Sequence, residues 1–143
     1  MAIDADCREH GDEATGLGHH LAVDSDALVT IALAGDERNV LRCGLVEWDS
    51  PVGGTDALAV AMGFRNMTDL LEQGHRLRSA LVGREPLSAK DWRKMLAATE
   101  IVFASDVFGS GLAWAGTTGF SDEETLRILR GLQRKIARAL RNS

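Results

Sequence analysis

Five arginines near the C-terminus are the residues whose type and spacing best support chemistry. Arg127, Arg130, Arg134, Arg138 and Arg141 recur every three or four positions. At the α-helical repeat they fall within a sector of about 80°. Guanidiniums grip carboxylates and phosphates through paired N–H donors, so such a stripe is a docking face for acidic groups. The plainer reading is a solvated face whose aliphatic stems cover apolar surface. Repulsion speaks against that reading. Arg130, Arg134 and Arg138 are spaced i,i+4, where each like-charge pair costs roughly a few tenths of a kcal/mol. Within the segment only Glu123, one turn before Arg127, offsets it. Arg78 joins the candidates because it falls inside the apolar stripe of its own helix, one turn after Gly74. Its stem either snorkels past its neighbours or reaches an acidic partner.

The remaining constellations are weaker. Cys7, His10, His19 and His20 are potential zinc ligands, but the spacing C-x2-H-x8-HH matches no common clamp, and glycines 11, 16 and 18 loosen the segment. We therefore expect no metal. Asp106 lies in the apolar stretch EIVFASDVF. A buried carboxylate there, with Glu100 or Thr117 nearby, would suit a general base. An acid close to a turn is equally well satisfied by Ser110 or a backbone N–H. His75 is the sole histidine outside the first 26 residues, so a Ser/His or Cys/His nucleophile has no support. Gly109-Ser110-Gly111 lacks both G-x-G-x-x-G and the Walker lysine, so no nucleotide cofactor is implied.

The elements that must position these residues read as α+β. Leu28–Leu33 and Val40–Trp48, joined by Gly35-Asp36-Glu37-Arg38-Asn39, predict a first hairpin. Thr55 caps a short helix that is apolar nearly all round and so expected to be buried; Gly63 ends it. Asn66 and Ser88 cap two further helices. Glu100–Phe108 and Gly111–Ala115 predict a second hairpin, turned at Gly109-Ser110. Ser121, with Glu124 three residues on, opens a long amphipathic helix whose apolar stripe is Leu126, Leu129, Leu132, Ile136 and Leu140. The order is ββααα-ββα, with the hairpins expected in one helix-covered sheet.

The chain's 143 residues suit one domain at 27–143, preceded by an acidic, flexible leader at 1–26. No run of about 18 apolar residues suggests a membrane span, and the leader lacks the apolar core of a secretory signal. Two cysteines are too few for a disulfide scaffold, so both read as free thiols in the cytoplasm. The net charge of −5 is unevenly spread. Residues 1–26 carry seven acids and one base, residues 121–143 three acids and six bases. These features favour a small protein-binding module, of immunity, inhibitor or regulatory-adaptor type. It would act through the arginine face on an acidic partner or on its own leader. The alternatives are a nucleic-acid-associated regulator using the same helix, or a small enzyme with a polar site near Asp106. An acidic chain, with no aromatic among the arginines to stack on bases, argues against nucleic acid.

A gel-shift at physiological salt is accordingly expected to show only weak, length-proportional duplex binding that added salt removes. A discrete complex on one sequence, surviving competitor DNA, would overturn this.

Overall fold

A computed structural model describes residues 27–49 and 53–143. Among them lie β1 (Leu28–Val29), α1 (Gly35–Glu47), α2 (Asp56–Ala61), α3 (Met67–Gly83), β2 (Leu87–Ser88), α4 (Ala89–Ala104), α5 (Trp114–Thr118) and α6 (Asp122–Arg141). The two-hairpin order ββααα-ββα is therefore corrected. The described chain is mostly helical, and its one sheet is the antiparallel pair Leu28↔Ser88 and Val29↔Leu87.

In each expected hairpin one apolar run, Val40–Glu47 in the first and Glu100–Ala104 in the second, is part of a helix rather than a strand. Gly35–Asn39 is a helix start. The Glu37 carboxylate accepts the Ala34 N–H at 2.7 Å, and Asp36 and Glu37 sit in the first turn, where the helix dipole favours acids. Val40, Leu41, Gly44, Leu45 and Trp48 then recur at helical spacing, and all are buried. In α4, Trp92, Met95, Ala98, Thr99 and Val102 form the equivalent inward face. The β-branched pair Ile101-Val102 disfavours a helix only slightly, and packing overrides that preference. Gly109-Ser110 is no hairpin turn, since the Ser110 N–H donates back to the Val102 carbonyl at 2.7 Å.

Caps are where the side chains imply them. Thr55 accepts from Leu58 N–H, Asn66 from Asp69 N–H and Ser88 from Asp91 N–H. Gly63 ends α2 at φ 104°. The expectation that α2 is buried fails, because only its Ala59 is buried and Val60 lies on the surface.

Helix α1 packs against α3, α4 and α6, and α4 also contacts α6. The α1–α4 crossing is close. A Cβ on Gly44 would fall on the side chain of Thr99, whose hydroxyl is satisfied by the Met95 carbonyl at 2.9 Å. Three buried tryptophans tie elements together through their indole N–H groups. Trp48 donates to Ala98 O on α4, Trp92 to Val29 O on β1, and Trp114 to Thr125 Oγ1 on α6. Each buries a large ring without stranding its one polar atom.

Two glycine substitutions should move stability in opposite directions. Gly44→Ala overpacks the α1–α4 crossing, and its urea midpoint should fall by the equivalent of about 1–3 kcal/mol. Gly74→Ala, inside α3 where a Cβ meets nothing within 4 Å, should gain roughly 0.4–1 kcal/mol. Equal effects of the two would refute the close crossing.

Candidate interaction surfaces

The arginine stripe rides on a well-anchored helix. Ser121 Oγ accepts the Glu124 N–H at 3.1 Å, and Glu124 Oε1 accepts the Ser121 N–H at 3.2 Å. Thr125, Ile128, Leu129, Leu132 and Ile136 bury the inward face of α6. Leu126, expected in that stripe, is 55% exposed. It lies about 100° from the middle of the buried face, and Ile128 takes its place. Leu140 is half-buried.

All five arginines are exposed. Among the described residues the ion pairs are Arg65–Asp69, Arg76–Asp91, Arg78–Asp49 and Lys135–Glu37, at 2.6–3.2 Å. None involves the stripe. Arg130 donates to Gln133 Oε1 at 3.1 Å. The side chains of Arg127, Arg134, Arg138 and Arg141 have no hydrogen-bond or ionic partner among the described residues. Lys135, about 60° outside the sector, has a different role. Its ammonium donates to Ala32 O at 3.1 Å and to Glu37 at 2.6 Å, binding α6 to the β1–α1 connection.

Arg78 stands apart from the stripe, on α3. Its guanidinium donates to Asp49 Oδ2 at 2.9 Å and contacts His75 Nδ1. It therefore has an acid within its own chain, and 18% of its side chain is exposed.

Asp106 is exposed, on the wall of an open concavity of about 700 Å³. Phe103, Ala104 and Ala115 contribute its apolar lining, and Asp106, Asp122 and Glu123 are its titratable residues. The other two residues proposed for a polar site are engaged elsewhere. Glu100 accepts from Gln133, and the Thr117 hydroxyl donates to Glu47 at 2.8 Å. Among the described residues no three His, Cys, Asp or Glu are placed to hold a metal ion; Cys7, His10, His19 and His20 lie outside them. No helix among them is long and apolar enough to cross a membrane. Cys43 is a free thiol. Burial pushes its pKa up, Arg42 opposes this and Glu47 adds to it, so the thiol stays protonated at neutral pH and is a poor nucleophile.

The sequence reading missed the surface formed by residues 105–113. Val107, Phe108 and Leu112 are large apolar side chains displayed to solvent there. The expected hairpin turned at Gly109-Ser110 places these side chains in strands, which hides the exposed loop from sequence reading. No family model, curated protein or solved structure matches the chain.

The buried carboxylate of Asp69 provides a pH test. Burial raises its pKa, but the Arg65 N–H at 3.0 Å, the Arg65 guanidinium at 3.2 Å and Gln73 outweigh this, and the net shift is downward. A depressed folded-state pKa contributes stability that is complete above the unfolded value of about 3.9. That contribution is lost as pH falls through the folded value. Asp69→Asn should therefore lower the urea midpoint at neutral pH and flatten its decline in the acid range. An unchanged acid limb would show that Asp69 is not ionised in the fold.

Proposed function

We propose that the protein is a small binding module of inhibitor or adaptor type that docks the acidic surface of a partner protein on the arginine face of α6. One feature carries the reading. Five guanidiniums share one exposed sector of α6 with no acidic partner among the described residues, whereas the other basic residues without an ion pair, Arg38, Arg42, Arg84, Lys90, Arg93 and Lys94, are spread over α1, the end of α3 and α4. A helix needing only solubility would gain more from alternating charges. Its caps and five buried residues hold the face in place, which lowers the ordering cost of binding. The free Cys43 thiol is in keeping with a cytoplasmic setting.

The leader is a second source of acid, with Asp4, Asp6, Glu9, Asp12 and Glu13. It joins the described chain at Ala27, five residues before the Ala32 carbonyl that Lys135 holds. A segment of that length, if extended, is long enough to span to α6. Exposed Arg–carboxylate pairs are worth only about 0–1 kcal/mol each, so a stronger acidic surface would displace the leader.

The test is charge reversal, Arg130→Glu with Arg134→Glu. Folding, followed by circular dichroism and urea midpoint, should be nearly unchanged. Recovery of a stoichiometric partner should fall, and its association at low salt should slow. Unchanged recovery, or an unfolded variant, would return the stripe to a solvated or structural face.

A further inference from the structure

We propose that residues 105–113 and the adjoining concavity form a second docking surface, of opposite sign to the arginine face. It would receive a partner segment that presents an apolar side chain flanked by Lys or Arg. This inference does not rest on the arginine-face reading.

The loop is built rather than slack. Ser105 Oγ accepts the N–H groups of Val107 and Phe108 at 3.2 and 2.9 Å. The Ser110 N–H donates to Val102 O at 2.7 Å, Gly111 N–H to Ser105 O at 3.1 Å, and Ala113 N–H to Ser110 O at 2.7 Å. Two glycines permit this close lie on the end of α4. A Cβ on Gly109 would sit 2.5 Å from the Val102 carbonyl oxygen, and one on Gly111 would strike the Asp106 carboxylate. Ser110 is buried beneath.

Nothing in that framework needs apolar side chains on the outside, where water favours polar ones. Yet Leu112 is 89% exposed, Val107 75% and Phe108 44%. Leu112 lines the concavity with Phe103, Ala104 and Ala115, and Glu123 forms its wall on the α6 side. The exposed Leu126 lies three residues beyond Glu123, at a neighbouring position on the surface of α6. Clustered exposed apolar side chains with a polar rim mark interaction sites more than solvated loops.

Charge selects the occupant. The titratable residues of the concavity are Asp106, Asp122 and Glu123, all acids. The helix dipole accounts for Asp122 and Glu123 in the first turn of α6. It does not account for Asp106, which comes from another element and has no hydrogen-bond or ionic partner among the described residues. An apolar side chain in the concavity, beside a Lys or Arg paired with Asp106, would satisfy both features.

The probe is a short amphipathic Leu/Lys peptide titrated into the ¹⁵N-labelled full chain, alongside Leu/Glu and Ser/Lys counterparts. The Leu/Lys peptide should shift amides between residues 103 and 126, and the Leu/Glu peptide should not. Leu112→Ser changes an exposed residue and should leave the urea midpoint in place while weakening binding about tenfold, as loss of one buried Leu predicts. Asp106→Asn should reduce the salt dependence. Arg130→Glu with Arg134→Glu should leave this binding intact, which separates the two surfaces. The proposal is overturned if shifts fall only outside this region, if the Ser/Lys peptide binds equally well, or if Leu112→Ser has no effect. Concentration-dependent self-association abolished by Leu112→Ser would also overturn it, assigning the surface to a second copy.

Discussion

The absence of a side chain at residue 44 is the constraint on which the rest of the structure depends. Helices α1 and α4 cross so closely there that the Thr99 side chain occupies the space a Cβ would take. That approach brings the Trp48 indole within hydrogen-bonding distance of Ala98 O. It also creates the surface that α6 covers, since α6 contacts both helices. A looser crossing would leave Thr99 in a void and remove the floor beneath Ile128, Leu129 and Leu132. Close-packed interiors tolerate little change in volume, so the small residue at 44 matters more than its lack of chemistry suggests.

The burial of α6 against that pair separates its two faces. Its inward side is apolar and holds the helix. Its outward side carries charge that no described acid neutralises. Lys135 marks the boundary. Close to the stripe in sequence, it is bonded to Glu37 and Ala32 because its position on the helix faces the β1–α1 connection. The same helix begins with Asp122, Glu123 and Glu124, so one element contributes an acidic wall at one end and a basic face along the rest. Charge segregation on a rigid element favours selective docking over general solubility, because each end rejects partners of its own sign.

Local chemistry determined part of this protein without any need for the fold. Thr55, Asn66, Ser88 and Ser121 cap helices because each bond runs to a backbone N–H three residues away. The arginine stripe was legible for the same reason: once Ser121 and Glu124 start the helix, its repeat places all five guanidiniums together. The tertiary structure alone decided the rest. Val40–Glu47 and Glu100–Ala104 are helical, although their apolar runs suit a covered strand equally well. The difference in local propensity is about 1 kcal/mol or less per residue, and the α1–α4 contact decides it. Leu126 faces water because the centre of the buried face is set by what α6 packs on. Arg78 finds Asp49, twenty-nine residues away, and the exposure of Val107, Phe108 and Leu112 follows from hydrogen bonds that fold the loop back on α4. Partners distant in sequence meet only after packing, and no spacing rule encodes that meeting.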